Sequence, residues 1–400
     1  MKRTLTRALG LGLLLAMSGP LGAQLSIDPR VLSTSPNPEQ PTERQLAPVV
    51  GATASGSLLV WEESRRGVVA AWFGADGAPQ GDARVLAASD PYPAPPFRGK
   101  LHEQREPAVA VHPDGSFVLA WAEWTLNRLL DMFSDDREVI SSRVMARSFA
   151  ADGTPQGQAV EIGSGSKPAV ALTRSGALVA WQAPTEAHNA LRIRSWNGAA
   201  TLGDATTLGD DARAPVMAGS KASTLVVWER ANGGLGARLV DDAGAPVGAA
   251  PDLGAADGAA PAVASDGRGE FLVAWQSAGA SSTAGVFGRL LGASGKVAGP
   301  AFVVAPAGEE ARSPAVAALP DGGWGAAWVS WHGPSRTAVK LATLDAKGHP
   351  RGKPAVLSTA EPPTDDLAVT SGSRGVVVTW PAYSSAGNLV LQARQSARSR

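Results

Sequence analysis

Hydrophobic and polar residues along this chain fall into short alternating runs separated by polar turns, and the same pattern keeps returning. "PAVAVHPDGSFVLAW", from Pro107 to Trp121, is one instance: an alternating run, an Asp-Gly turn, and a second apolar run ending in tryptophan. "PAVALTRSGALVAW" from Pro168, "PAVASDGRGEFLVAW" from Pro261 and "PAVAALPDGGWGAAW" from Pro314 repeat it. Such runs predict half-buried strands, and the Asp, Gly and Pro between them predict tight turns. A tryptophan closes the second run at Trp61, Trp121, Trp181, Trp228, Trp275, Trp328 and Trp380, so the unit returns every 47 to 60 residues. A third run follows, as in "VMARSF", "LRIRSW", "LGARLV" and "VFGRLL". A glycine turn such as "ADGTPQG" and a short fourth run such as "KPAVLS" complete the unit.

Seven units of four strands predict an all-β chain, a seven-bladed β-propeller of four-stranded antiparallel blades. An isolated four-stranded sheet leaves both faces wet, whereas sheets stacked round an axis bury them. The blade limits read as 45–89, 105–165, 166–211, 212–257, 258–310, 311–362 and 363–394, within one domain spanning 24–400. The last unit stops at "NLVLQARQ" without a fourth run, and "SIDPRVLSTS" (26–35) is similar to "GKPAVLSTA" (352–360). The N-terminal strand is therefore expected to complete the last blade and remove a free edge. The elements P-x-V-A, D-G-x-F-L-V-A-W, A-R-x-F and D-G-x-x-x-G resemble the repeat of exported bacterial β-propeller proteins, over nearly all of residues 26–394. The resemblance implies the fold; it implies no activity, because propellers host unrelated functions.

The N-terminus changes the expected location. Lys2, Arg3 and Arg7 precede an apolar stretch from Ala8 to Met17 that is too short to span a bilayer, and residues 1–23 read as a secretory signal peptide. The chain is expected to be secreted or periplasmic, without a membrane span. It has no cysteine, which excludes disulfides, a lipid-modified cysteine, thiol catalysis and Cys-based zinc sites. Its 36 basic and 36 acidic residues leave no nucleic-acid footprint. Five scattered histidines offer no metal-ligand spacing, so neither metal nor cofactor is expected, and a monomer is expected.

Seven repetitions make the tryptophans packing residues rather than ligand platforms, each needing a partner for its indole N–H. Acidic residues recur four positions before the opening proline (Glu103, Asp211, Asp257, Glu310) and arginines two before it (Arg105, Arg213, Arg312). Such repetition suggests structural pairs between neighbouring blades. Chemistry is expected where the repeat breaks, in the loops 90–106 and 122–142. In the second, Leu126, Leu129, Leu130 and Phe133 have the spacing of an amphipathic helix. Binding candidates there are Tyr92, Phe97, Arg98, His102, Glu103, Arg105, Trp124 and Arg128, joined on the same face by Trp331 and His332. Aromatics and arginine dominate binding hot spots. The chain matches no metalloprotease, nucleophile-elbow or Walker motif. Sialidase-like propellers are resembled only in "DGxxxxxW", without the leading serine. The reading is a non-catalytic binding or scaffold propeller with a protein or glycan partner. The alternative is a propeller glycoside hydrolase or lyase using carboxylates such as Glu62, Glu63, Glu123 and Glu229 with arginine at the ring mouth.

Overall fold

A computed structural model describes residues 25–27, 45–130, 135–199, 202–277, 285–305, 309–331, 337–358, 366–372, 375–383 and 389–397. Every regular element among them is a strand. β1 (Leu25–Ile27) stands apart at the start. β2 (Gln45–Thr53), β3 (Gly56–Glu63), β4 (Gly67–Gly74) and β5 (Arg84–Ala88) form the first sheet. β6 (Phe97–Val111), β7 (Phe117–Leu130), β8 (Asp135–Phe149) and β9 (Pro155–Ser164) form the second. β10 (Ser166–Leu172), β11 (Ala177–Pro184), β12 (Asn189–Trp196) and β13 (Thr206–Gly209) form the third. β14 (Ala212–Gly219), β15 (Thr224–Arg230) and β16 (Leu235–Val240) form the fourth. β17 (Gly258–Ser265), β18 (Phe271–Ser277), β19 (Gly285–Leu291) and β20 (Phe302–Val303) form the fifth. β21 (Glu310–Ala318), β22 (Trp324–Trp331), β23 (Thr337–Leu344) and β24 (Ala355–Ser358) form the sixth. β25 (Ala368–Gly372), β26 (Gly375–Tyr383) and β27 (Leu389–Ala397) form the last.

All ladders are antiparallel and, apart from that of β1 with β27, join consecutive strands; the innermost strands touch round a propeller ring that returns from β25 to β2. β1 pairs with β27, Ser26 opposite Arg394, so the N-terminal segment is the outer strand of the last sheet. The rest of the proposed closing strand, 28–35, lies outside the described residues. Among the described residues four-stranded blades number six, a correction to the expected seven. In the fourth sheet the run after β16 makes one bridge, Val240 to Pro246, and no fourth strand. Pro246 and Pro251 cannot donate to a ladder, and between them lie only Val247, Gly248, Ala249 and Ala250. Leu253 and Ala255 are buried in the core there.

The core lies between sheets. Each tryptophan of the repeat is buried, the most accessible being Trp228 at 7 %. Trp61 Nε1 donates to Glu63 (3.1 Å), Trp121 to Gln104 (2.6 Å), Trp181 to the Ser164 carbonyl (3.0 Å) and Trp328 to Glu309 (2.9 Å). Trp228 packs so closely on Gly236 that a β-carbon there would lie 2.2 Å from the indole. These are the expected packing residues; truncating one costs about 3–5 kcal/mol.

A second repeated device fixes the inner strands. Ala47, Glu106, Lys167, Ala214, Ala260 and Ser313, each followed by proline, have φ between 45° and 54°, and the register with the next strand shifts at each of them. At three junctions the residue after a tryptophan reaches the next sheet at this bulge. Glu62 accepts the Glu106 N–H (3.1 Å), Glu229 that of Ala260 (2.6 Å) and Gln276 that of Ser313 (3.3 Å). Ala122 follows Trp121 and cannot do this; Glu106 itself accepts the Lys167 N–H (2.8 Å). Left-handed conformations outside glycine cost on the order of 1 kcal/mol, which these inter-sheet bonds offset.

The largest departure from the sequence reading is at 122–142. The segment forms no helix: β7 and β8 run on as a ladder, and residues from Phe97 onward, expected as a loop, pair with β7 from Phe97–Leu130 to Val111–Phe117. The spacing i, i+4 of Leu126 and Leu130 suits a strand as well as a helix. Period two decides it, with Leu126 and Arg128 buried and Asn127 and Leu129 exposed. The β-branched Thr125, Val139 and Ile140, with the facing stretch 97–106 to pair with, favour the ladder. The second sheet therefore projects beyond its neighbours as a three-stranded extension.

Candidate functional site

A polar cleft of about 430 Å³ lies where the extension meets the first sheet. The end of β3 contributes Glu62 and Glu63, the turn after it Ser64 and Arg65; the link between sheets contributes Ser89 and Tyr92. β6 contributes Glu103, Gln104 and Arg105, β7 Arg128, β8 Arg137, and Leu46 completes the wall. Alternation along β7 puts Arg128 on the buried side, with a side chain only 2 % exposed. Its guanidinium donates to Glu103 Oε1 (2.7 Å) and to the Tyr92 hydroxyl (2.6 Å). The Tyr92 ring lies 4.4 Å from that guanidinium and 4.3 Å from that of Arg65. Cations over an aromatic face gain about 0.5–2 kcal/mol each, more as water is excluded.

Glu103 is shared, for Arg105 also ion-pairs with it and donates from Nε at 3.0 Å. The expected pairing of Glu103 and Arg105 thus occurs along one strand rather than between blades, as it does for Glu310 and Arg312. Arg105 reaches back to Glu62 of the first sheet at 4.0 Å. Glu62 Oε1 and Glu103 Oε2 lie 4.0 and 3.0 Å from the same Arg105 nitrogen, hence no more than about 7 Å apart. Burial pushes the Glu62 carboxyl above its ordinary value; the Glu106 N–H and Arg105 oppose this, and Glu106 and Glu103 add to it. Glu63, almost wholly buried, accepts from Arg66 (2.8 Å) and Trp61. Gln104 links the cleft wall to the core, accepting from Trp121 and donating to Glu123 (3.1 Å), which Arg143 holds at 2.7 Å.

Tyr92, Glu103, Arg105 and Arg128 are thus brought together. Trp124 stands behind the wall, its ring 5.3 Å from the Arg105 guanidinium, and serves to position that side chain. Arg98 lines an adjoining recess with Arg128, Arg137 and Glu138. Phe97 and His102 sit on the extension outside the cleft; His102 is tied to Asp90 at 2.9 Å. Trp331 belongs to the sixth sheet, where Arg312 lies 4.9 Å over its ring. His332 lies outside the described residues. Arg65 and Arg137 were not foreseen. The signal for Arg65 was "EESRRG", a charged turn on the face that also carries the 90–106 segment. Arg137 needed the strand register, since a helix would have turned it elsewhere. Among the described residues no group of three or more His, Asp or Glu could hold a metal ion, and no helix is long and apolar enough to cross a membrane.

No family model matches the chain, and no curated protein matches it in sequence. Among solved structures it is similar to a protein of unknown function from Dyadobacter fermentans, with 11 % identity, a TM-score of 0.48, and 90 % of this chain and 96 % of that one covered. It is also similar to a sialidase from Trypanosoma rangeli, with 8 % identity, a TM-score of 0.48, and 88 % and 55 % covered. A third is an endo-arabinase from Bacteroides thetaiotaomicron, with 11 % identity, a TM-score of 0.41, and 74 % and 94 % covered. Likeness at this level says nothing about what this chain binds or turns over.

Proposed function

We propose that this chain is a binding propeller, its ligand seated without chemical change in the cleft between the first two sheets. The observation that supports this most is the engagement of the cleft's carboxylates. Glu103 is compensated by two guanidinium groups, Glu63 by Arg66 and an indole N–H, and Glu62 accepts a backbone N–H. A carboxylate neutralised by two arginines is a poor base and a poor nucleophile, while the same array is a rigid set of oriented polar groups. In this reading the three-stranded fourth sheet is the seventh blade, and the exported, monomeric chain meets a protein or glycan outside the cytoplasm. Binding to glycan arrays and pull-downs should be lost in a Tyr92→Ala/Arg105→Ala variant that keeps its unfolding temperature within a few degrees. Undiminished binding by that variant overturns the reading.

A second reading has one observation of its own. Glu62 and Glu103 lie within about 7 Å of each other, and Glu62 is the carboxyl that burial keeps protonated to higher pH. Glycosidases pair an acid and a base or nucleophile roughly 5–9.5 Å apart. Turnover of aryl glycosides that vanishes in Glu62→Gln and Glu103→Gln would establish this reading and displace the first.

A further inference from the structure

We infer that the mouth of the propeller axis is a second binding subsite, one that seats an aromatic side chain of a protein partner. The inference rests on the binding reading above and names the partner class. The six bulges that fix the inner strands bring their prolines, Pro48, Pro107, Pro168, Pro215, Pro261 and Pro314, round one pocket of about 290 Å³, and Leu367 of the last sheet closes the circle. Every sheet contributes to this pocket, which places it on the axis. It adjoins the cleft: Glu106 lines the pocket, and its N–H is held by Glu62, which lines the cleft.

The wall decides what the pocket can take. Proline has no N–H, and the N–H groups before four of these prolines are already held: Glu106 by Glu62, Lys167 by Glu106, Ala260 by Glu229 and Ser313 by Gln276. The Lys167 ammonium lies 3.0 Å from the Glu106 carboxylate. A sugar therefore finds few donors for its hydroxyl groups among the described residues, and polar groups left unmet on binding are costly. An apolar group finds the pyrrolidine rings, three alanines and the side chains of Val49 and Val216. Among apolar groups this wall favours an aromatic ring, whose negative face attracts the hydrogens on the proline carbons next to nitrogen. A tryptophan or tyrosine also brings a large rigid area with only two torsions to freeze. The volume stands at the lower limit of small-ligand sites, about 300–1,000 Å³, which suits one side chain. The wall is preformed as well, since each proline fixes its own φ and four of the bulges are bonded to the preceding sheet.

The test is ligand-observed NMR titration of the whole chain with N-acetyltryptophanamide and, in parallel, with N-acetylleucinamide and neutral cellotriose. The expected result is binding of the tryptophan probe about fivefold tighter than the leucine probe. Ala214→Leu/Ala260→Leu fills the pocket and suits the backbone, because Glu106 and Lys167 carry long side chains at φ of 54° and 53°, beside 45° and 46° for the two alanines. This variant should weaken the tryptophan probe about tenfold or more and keep its unfolding temperature within a few degrees. Pro261→Ala, which removes one ring from the wall, should weaken it about threefold and serves as the check if the filled variant does not fold. Tyr92→Ala/Arg105→Ala should bind the probe as wild type does, since neither side chain lines the pocket. Equal affinity for the two amides overturns the aromatic class. Tryptophan binding that persists in the filled variant and is lost in the cleft variant overturns the axial subsite and leaves the cleft reading standing. Binding of cellotriose alone, lost in the filled variant, overturns the protein class. No binding of either amide overturns the subsite, and the cleft reading is then judged by its own variant.

Discussion

The second and sixth sheets carry the same three residues in the same register. Glu103 lies opposite Trp124 and Glu310 opposite Trp331; two residues on, Arg105 and Arg312 turn back over those rings, and both strands then bulge before a proline. The preceding sheet grips that bulge in both places, through Glu62 in one and Gln276 in the other. The surroundings differ. In the second sheet Glu103 is 17 % exposed, beneath Arg128 and Tyr92; in the sixth, Glu310 is 43 % exposed. The repeated unit is therefore framework, and the cleft is made by what the extension and the Arg65 turn add around one copy of it.

Removing one arginine from each copy should separate them most. Arg128→Ala leaves Glu103 with Arg105 and takes one donor from the half-buried Tyr92 hydroxyl. Losing one member of a buried pair costs about 3–5 kcal/mol. Arg312→Ala, at a pair near water, should cost under about 1 kcal/mol. Urea melts of the two variants decide this, and equal losses would mean that the extension adds no burial to the framework.

Glu62 and Gln276 do the same backbone task, so Glu62→Gln should keep the latch and remove a titration. Burial makes the folded chain hold the Glu62 proton to higher pH than the unfolded chain does. In the window from the ordinary carboxylate value up to that raised value, the folded state binds more protons, so ionisation of Glu62 destabilises it as pH rises. Wild type should thus lose stability relative to Glu62→Gln across that window. Parallel pH profiles would show instead that Arg105 fully compensates the charge against Glu106 and Glu103.

Arg65→Gly should have the smallest effect on the fold and a clear one on binding. Relief of the left-handed strain keeps stability within about 1 kcal/mol of wild type, on the stabilising side, while the cleft loses a cation. A marked drop in unfolding temperature would make Arg65 part of the framework after all.

The repeat was legible because strands have period two and because each blade must bury a tryptophan against its neighbour, so one packing solution is written seven times. The departures from it were legible only as departures. Leu126 and Leu130 satisfy both helical and strand spacing, and what chose the strand was the partner at 97–106, distant along the chain and adjacent only after folding. The missing fourth strand of the fourth sheet could be suspected from Pro246 and Pro251, yet the same residue types elsewhere sit in turns that lead into strands.

For the site, the residue types on the 90–106 and 122–142 segments were enough to place Tyr92, Glu103, Arg105 and Arg128 together. Composition along the chain could also mark where the repeat was broken, since a break in a periodic pattern is a local property. Which groups face each other is not local. Arg128 is buried rather than solvated because its strand alternates against the first sheet, Arg65 joins it from another sheet, and Trp124 supports a guanidinium instead of a ligand. Those outcomes depend on register and on the way two sheets meet, and only the tertiary structure sets them.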